Sequence, residues 1–301
     1  MTREFRIGDR VIDDDSDAYV VAEIGGNHGG SLDVALQMIR TAAQCGADAV
    51  KFQKRDLNYW SQRDPRWNEP YNSEHSFGRT YGEHRAALEF DAYAYKRLQE
   101  AADICGVDFF ATAFDVPSLQ FLVELGVPAI KLASASIVNM PLIEACNLWG
   151  GTVIASTGGA SLDEVRRAHY RMAHQPVALL QCTAEYPCPA AHLQLRVIEG
   201  LRQLFPSTVI GLSDHQAGIA MSPVAYALGA RIFEKHFTLN RTSKGSDHAF
   251  SLEPEGMRKL VRDLRRTRDA LGDGQKRRLE GEVPALVKMG RLDLAREKVT
   301  A

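Results

Sequence analysis

The sequence has little that would mark a secreted, membrane-spanning or nucleic-acid-binding protein. Lys and Arg number 36 and Asp and Glu number 38, which leaves a formal net charge of -2 and no strong field to attract nucleic acid or an anionic membrane. No apolar run approaches the roughly 18 residues that span a bilayer, and the first residues lack the apolar core of a signal peptide. We therefore expect a soluble, cytoplasmic protein with no nucleic-acid and no membrane partner.

Cysteine motifs and glycine-rich phosphate-binding motifs are also missing. The five cysteines contain no CxxC pair and are odd in number, so we expect reduced, packed thiols and no disulfide framework. Cys182 and Cys188 remain open as metal ligands, although no third ligand lies at a suitable spacing nearby. Neither GxGxxG nor a Walker motif follows the first apolar run, which disfavours a Rossmann-like dinucleotide site.

What the sequence does have is a repeated alternation of short apolar runs and amphipathic stretches. Their length and their Val, Ile, Phe and Ala content are typical of buried parallel strands. The stretches between them begin at Ser or Asp and end at Gly, as helices do. The alternation predicts an α/β protein with a single (β/α)8 TIM barrel. The eight runs are residues 18–25, 48–53, 108–114, 129–134, 152–157, 177–183, 208–214 and 231–237.

Residues 1–301 are expected to form one domain. The barrel should occupy about 18–271, after a short N-terminal β ribbon at 4–12 and before a charged C-terminal tail at 272–301. A long polar and aromatic segment, 54–90, separates the second strand from its helix. A long insertion at that end of a barrel strand suits an active-site lid or substrate loop. A structural excursion or an oligomer contact is the alternative.

Polar side chains gather where the predicted strands end, which is where TIM barrels carry their function. Lys51 and Lys131 lie in apolar runs whose alternation points them inward. With nearby serines they would form a pocket for a phosphate and a carboxylate. A Schiff-base lysine and a lysine that reaches solvent are the alternatives. The strand-end set is Glu23, Lys51, Gln53, Thr112, Asp115, Lys131, Ser134, Ser156, Gln181, Thr183, Ser213, Asp214, His215, Glu234 and His236.

His215 and His236 close the seventh and eighth runs, which become neighbours when the barrel closes. Two imidazoles on adjacent strands can bind a divalent metal, with Glu23 or water completing the shell. A paired acid/base or a structural role remains open. Asp214 is either a partner of His215 or a helix cap, and Asn27, in the glycine-rich loop after the first run, either reaches a ligand or belongs to a plain turn.

These residues together resemble the sialic acid synthase family, whose members condense phosphoenolpyruvate with an amino sugar. The resemblance extends over about residues 18–270. It implies an enzyme with a divalent metal cofactor, Mn²⁺ or Mg²⁺, and with phosphoenolpyruvate and a sugar acceptor as its partners. The matching segments are AEIGGNHGGS (22–31), GADAVKFQ (46–53), FFATAFD (109–115), KLAS (131–134), NMPLI (139–143), ASTGGAS (155–161), LLQCTAEYP (179–187), IGLSDH (210–215) and EKHFT (234–238).

The resemblance also implies roles for single residues. His215 and His236 would bind the metal, and Glu23, Tyr186 and Asp247 would contact the acceptor sugar. The residues expected to hold phosphoenolpyruvate are Lys51, Thr112, Lys131, Ser134, Ser156 and Ser213. The catalytic candidates are Glu23, Lys51, Lys131, His215 and His236, and the substrate-binding candidates also include Asn27, Gln53, Ser136 and Thr183.

The acceptor side departs from the family pattern at two positions. Ser136 stands where members commonly have an acidic residue that binds a sugar hydroxyl, and Ala184 replaces a polar residue. The chain also ends before the small antifreeze-like domain that typically follows the barrel, so the expectation is an altered sugar pocket, roofed by residues 54–90. A free amino sugar is favoured because no compact Arg/Lys motif for a second phosphate follows a strand, although Arg241 and Lys244 are potential substitutes.

The sequence thus predicts condensation of phosphoenolpyruvate with an aldose to a 2-keto-3-deoxy sugar acid, with metal-assisted C–O cleavage releasing phosphate. A Schiff-base pyruvate aldolase or lyase that uses Lys131 and a non-catalytic ligand-binding barrel are the alternatives. Because TIM-barrel enzymes often associate, a homo-oligomer, most simply a dimer, is expected.

Overall fold

A computed structural model describes residues 3–294 and confirms the predicted barrel. Eight parallel strands pair in chain order, and the last closes on the first. They are β3 (Tyr19–Gly25), β4 (Ala49–Lys54), β5 (Asp108–Ala113), β6 (Ile130–Leu132), β7 (Val153–Ser156), β8 (Val177–Cys182), β9 (Val209–Asp214) and β10 (Ile232–His236). Seven of these strands lie inside the apolar runs that predicted them, and β4 extends one residue beyond its run. The length and composition of the runs were therefore sufficient to predict the strands.

The expected N-terminal ribbon consists of two antiparallel strands, β1 (Glu4–Ile7) and β2 (Arg10–Asp13). Phe5, Ile7 and Ile12 are buried against the core of the barrel. Burial of three large apolar side chains stabilises a two-stranded ribbon, which would be marginal by itself in water.

Helices follow the strands as the sequence pattern indicated. Gly106, Gly126 and Gly150 end three of them with positive φ values of 69°, 79° and 72°, the left-handed conformation that glycine adopts without strain. The helices are α1 (Leu32–Gln44), α2 (Leu57–Ser61), α3 (Tyr81–Leu88), α4 (Ala92–Cys105), α5 (Val116–Leu125), α6 (Met140–Trp149), α7 (Leu162–Arg171), α8 (Val197–Leu204), α9 (Met221–Ala227), α10 (Pro254–Leu271) and α11 (Val283–Lys288).

The segment 54–90 is more ordered than its composition indicated. It contains the short helices α2 and α3, capped by Asp56 and Thr80, and an isolated bridge joins Pro70 to Thr80. The sequence shows this segment only as a break in the strand and helix alternation, because its two helices are too short for a clear apolar period.

The backbone divides into two compact units, Met1–Arg268 and Asp269–Ala301. The first contains the ribbon and the barrel, and the boundary lies close to the expected start of the tail at 272. Within the part of the second unit that is described, α11 follows a short 3-10 turn, Glu280–Glu282. Among the described residues, no helix combines the length and the apolar character that crossing a bilayer requires.

Two glycine substitutions test how tightly the barrel strands pack. A Cβ at Gly211 in β9 would lie 2.3 Å from the Ile232 carbonyl oxygen and 2.5 Å from Leu180 Cδ2. Gly211→Ala should therefore lower the free energy of unfolding by about 2 kcal/mol or more. The matched change Gly200→Ala in α8, where no atom lies within 4 Å, should stabilise by about 0.5–1 kcal/mol. Urea denaturation of both variants measures the contrast, and equal effects would contradict the described packing.

Candidate active site

A cavity of about 720 Å³ opens at the carboxyl ends of the barrel strands. Most of the candidate residues from the sequence line it, because parallel strands bring their carboxyl ends to one rim. Those candidates are Glu23, Asn27, Lys51, Gln53, Thr112, Lys131, Ser134, Ser156, Tyr186, Ser213, His215, His236 and Asp247.

Of the catalytic and substrate-binding candidates, Ser136 and Thr183 do not line this cavity. Ser136 is buried in a 3-10 turn after β6. The Thr183 hydroxyl donates to the His192 carbonyl at 2.8 Å and so is committed to the loop. The Thr183 carbonyl does contribute to the site, because it bonds the ring of His215 at 2.7 Å.

Lys51 lies at the centre of a buried charge cluster. Its Nζ is 2.8 Å from Glu23 Oε2 and 3.6 Å from Glu234 Oε1, and it donates to Thr112 Oγ1 at 2.7 Å. The barrel register places Glu23 directly beside Lys51. Burial alone would lower the pKa of Lys51, but Glu23 and Glu234 raise it. Lys51 is therefore a firmly charged ammonium group.

Lys131 has a different environment. Its Nζ donates to Ser156 Oγ at 2.6 Å and to the Leu132 carbonyl at 2.9 Å, and Glu234 Oε2 is 3.9 Å away. Burial lowers the pKa of Lys131, and the neighbouring charge of Lys51 adds to this effect. The two lysines thus differ in proton affinity although they share one glutamate.

Glu234 links the two lysines, a role that sequence reasoning did not assign to it. Burial would raise the pKa of Glu234, but Lys131 and Lys51 lower it below its ordinary value. Ser213, the adjacent residue across β9 and β10, donates to Glu234 Oε1 at 3.3 Å. The sequence spacing could have indicated this role of Glu234. Glu234 lies two residues before His236 on one strand, so both side chains face the same side.

The two histidines meet as predicted, with ring centroids 5.5 Å apart. His215 Nδ1 donates a hydrogen bond to the Thr183 carbonyl, so the proton of the neutral ring lies on Nδ1. The lone pair of Nε2 is then available to bind a metal. Burial lowers the pKa of His215 to about 4, so its ring is neutral near pH 7. His236 Nδ1 is buried without a hydrogen-bond partner among the described residues and lies 3.5 Å from Asp247 Oδ2.

These donors fit a divalent metal held by two imidazoles, with its other positions left to water or substrate oxygens. An orphaned buried nitrogen on His236 is the observation that favours a ligand there. Within residues 3–294, no group of three or more His, Cys, Asp or Glu side chains is arranged to hold a metal. Glu23, offered by the sequence as a third ligand, instead contacts Lys51 and Gln53.

Other residues near the histidines hold the site in shape. The Asp214 carboxylate accepts from Lys235 Nζ at 2.7 Å and from the Gln216 backbone N–H at 2.8 Å, so it fixes the turn and does not bond the His215 ring. Asn27 Nδ2 donates to the Phe237 carbonyl and to Ser251 Oγ, both at 2.9 Å. Asn27 therefore anchors the glycine-rich loop to the end of β10.

Aromatic rings form one wall beside the histidines. The Tyr186 ring lies 4.0 Å from the His215 ring between centroids, and the Phe250 ring lies 4.9 Å from that of His236. Tyr186 is 53% exposed, so one face of its ring remains open to a ligand. Cys182 also lines the cavity, with Sγ 3.4 Å from Ser134 Oγ, whereas Cys188 is buried and not in the lining.

The segment 54–90 supplies a group of lining residues that the sequence did not identify individually. They come from the turn after β4, from the loop before α3, from α3 and from its C-cap. No apolar period in these stretches predicts which side chains face the cavity. They are Arg55, His75, Phe77, His84, Arg85, Leu88 and Glu89.

Comparisons with known proteins agree with this geometry. The model of the NeuB family matches residues 38–276. N-acetylneuraminate-9-phosphate synthase of Mus musculus is 42% identical over 94% of this chain and 79% of its own length. N,N'-diacetyllegionaminic acid synthase of Campylobacter jejuni is 36% identical over 87% of this chain and 80% of its own. A crystal structure of N-acetylneuraminic acid synthetase from Leptospira borgpetersenii, in complex with citrate, superposes with a TM-score of 0.82 at 34% identity, covering 97% of this chain and 98% of that one.

Removal of one lysine tests the buried charge cluster. Lys51→Met leaves Glu23 and Glu234 without their closest cation, and breaking a buried pair in this way costs about 3–5 kcal/mol of unfolding free energy. Urea denaturation near pH 7 measures the loss. Lys96→Met, at an exposed position of α4, is the matched control and should change stability by less than about 0.5 kcal/mol.

The same variant should depend on pH in a defined direction. Without Lys51, the pKa of Glu234 moves upward toward what burial favours. A carboxyl whose pKa is raised by folding is most stabilising at low pH and loses that stabilisation as pH rises through the folded value. The penalty of Lys51→Met should therefore be smaller at pH 5 than at pH 8. A penalty that does not vary with pH would argue against the Glu234 contact.

Proposed function

This chain belongs to the NeuB family, and we propose that it joins phosphoenolpyruvate to the aldehyde carbon of an aldose, giving a 2-keto-3-deoxy sugar acid of the nonulosonic type and inorganic phosphate. The observation that carries the proposal is one cavity with two buried lysines beside two unblocked histidine nitrogens. The first pair suits the anionic groups of phosphoenolpyruvate, and the second suits a metal beside the sugar oxygen.

Charge balance supports a metal as part of this site. Lys51 and Lys131 carry two positive charges, and Glu23 and Glu234 carry two negative ones, so the cluster is neutral before any substrate enters. Phosphoenolpyruvate then adds a phosphate and a carboxylate to a buried region, where uncompensated charge is costly. His215 and His236 would hold a divalent ion, Mn²⁺ or Mg²⁺, which when bound polarises the sugar aldehyde as a Lewis acid.

The residues of the chain position the reactants. Ser156, Ser213 and Thr112 line the cavity beside the lysines and provide hydroxyl donors for phosphate oxygens. The rings of Tyr186 and Phe250 cover one side of the histidine pair and limit the access of water. Holding the two reactants in one cavity replaces a bimolecular encounter by an oriented one.

The proposed chemistry forms one C–C bond, forms one C–O bond from water and breaks one C–O bond. C3 of phosphoenolpyruvate attacks the aldehyde carbon, whose oxygen becomes a hydroxyl group by gaining a proton. Water adds at C2 and passes one proton to Glu23, which balances the proton that the aldehyde oxygen takes up. The bond from C2 to the phosphate oxygen then breaks, and the second proton of the added water leaves with the phosphate, so that C2 becomes a ketone. Lys51 and Lys131 stabilise the charge of the departing phosphate.

A Schiff base at Lys131 is the rival chemistry, and the lowered pKa of Lys131 is the observation that favours it. The Nζ of Lys131 is nevertheless engaged by Ser156 and the Leu132 carbonyl. Borohydride treatment with pyruvate separates the two mechanisms, because only an imine is trapped as a covalent adduct on Lys131.

Family membership does not decide the acceptor. The relatives just described include one named for a 9-phosphorylated product and one named for an unphosphorylated acid.

The association into a dimer, which the sequence analysis expects, stays a prediction.

Phosphate release provides the direct test of the function. The full chain is incubated with phosphoenolpyruvate, Mn²⁺ and a panel of free and phosphorylated aldoses, and phosphate and product mass are measured. We expect release only when an accepted aldose is present, its loss on chelation and its recovery with Mn²⁺ or Mg²⁺. The absence of release with every aldose would contradict the proposed function, and metal-independent turnover with borohydride trapping would favour the Schiff-base mechanism.

The role of Glu23 gives a second test. Glu23→Gln should lower kcat by about 100-fold or more, since a positioned general base contributes 10²–10⁴-fold. Metal content, measured by elemental analysis, should stay normal because Glu23 contacts Lys51 and Gln53 and not the histidines. Glu100→Gln, at an exposed position of α4, serves as the control. Full turnover by Glu23→Gln would remove Glu23 from the mechanism.

A further inference from the structure

Cations without carboxylate partners collect on the side of the cavity formed by the segment 54–90. Arg55 and Arg85 both line the cavity, and Lys244 lies 5.1 Å from the ring of Phe77, which lines it too. Among the described residues, none of these three cations forms an ion pair with a carboxylate. Glu89 pairs with Lys54 at 2.7 Å and accepts from the Arg55 backbone N–H at 3.0 Å, so it raises the pKa of Arg55 without forming an ion pair with its guanidinium group. Asp64 pairs with Arg66 at 2.8 Å.

Neutral and aromatic groups hold the two guanidinium groups in place. The Arg55 Cζ lies 3.4 Å from the centroid of the Phe114 ring, and its Nη1 donates to Gln53 Oε1 at 3.1 Å. Arg85 donates to the Tyr81 hydroxyl at 2.9 Å. Stacking on an aromatic ring and bonding to a neutral acceptor orient an arginine without neutralising its charge.

Burial and the repulsion between these cations lower the pKa values of Arg55 and of the neighbouring His84. Burial, together with the charge of Arg85, lowers the pKa of Arg55 to about 10. Burial also lowers the pKa of His84, and Arg85, Arg55 and Lys244 each add to that effect, bringing it to about 4. His84, which also lines the cavity, therefore lies within the field of all three cations. A bound anion would relieve this repulsion.

We propose that Arg55 and Arg85, assisted by Lys244, form a second anion subsite that binds a phosphate on the acceptor aldose. The inference deepens the proposed function and rests on it. Arg55 lies four residues beyond Lys51 along β4 and the turn that follows, a distance of roughly 13 Å for extended chain. Phosphoenolpyruvate beside Lys51 and a phosphate beside Arg55 would therefore lie at opposite ends of an open-chain hexose.

The sequence favoured a free sugar because no compact cationic motif follows a strand. The structure places the cations differently, since Arg55 follows β4 and Arg85 lies in α3, separated by 29 intervening residues of the segment 54–90. Arginine binds phosphate through two parallel N–H bonds, which suits a fixed terminal phosphate better than it suits a sugar hydroxyl.

The test compares matched acceptors. The gluco and manno epimers of 2-acetamido-2-deoxyhexose, each free and as the 6-phosphate, are incubated with phosphoenolpyruvate, Mn²⁺ and the full chain. We expect kcat/KM for an accepted 6-phosphate to exceed that of its free sugar by about 100-fold or more. Arg55→Gln and Arg85→Gln should each lower kcat/KM for the 6-phosphate by about 10- to 100-fold, mainly through KM for the sugar, and leave kcat/KM for the free sugar unchanged.

Arg79→Gln, an exposed position in the same segment and outside the lining, is the control and should match the unmodified chain. Circular dichroism checks that each variant is folded. Equal or better turnover of the free sugar would overturn the second subsite while leaving the proposed function intact. A rise in KM for phosphoenolpyruvate in place of the sugar would assign the arginines to the first substrate and overturn it as well. If none of the four aldoses releases phosphate, the proposed function fails and the subsite with it.

Discussion

Four buried charged side chains determine the polarity of the cavity. Lys51 and Lys131 face Glu23 and Glu234 on neighbouring or facing strands, and each charge is tolerated there only because the others compensate it. Neutral side chains at the strand ends also bond these charges. The hydroxyls of Thr112, Ser156 and Ser213 bond Lys51, Lys131 and Glu234, respectively. The Gln53 amide donates to Glu23. The interior is thus polar, and its charged groups are paired with one another.

Barrel closure is what gives the cluster its partners. Glu234 reaches the lysines because β10 pairs with both β9 and β3, which places the last strand beside the first. The same closure puts His236 next to Glu23 in register and brings its ring to that of His215. The two lysines and the two histidines therefore share one cavity as a consequence of topology.

The segment 54–90 adds a second chemical character to that cavity. The inner site balances its own charges, whereas the segment contributes cations that its own carboxylates leave uncompensated. The strands thus provide a charge-balanced group of residues, and the insertion provides cations that line the same cavity. Enzymes of this fold commonly vary their substrates through loops at this end of the barrel.

The sequence by itself determined the barrel and most of the polar residues that line its cavity. Strand runs such as 48–53 and 231–237 have a fixed period, so their alternation predicts which side chains point inward, and Lys51 and His236 could be placed from spacing alone. Only the tertiary structure decided which residues meet across the barrel. It showed Glu234 between two lysines, Glu23 committed to Lys51 and the Thr183 side chain turned away from the cavity. Contacts between distant strands and the course of an aperiodic segment leave no periodic signal in the chain, which is why Arg55 and Arg85 emerged only from the fold.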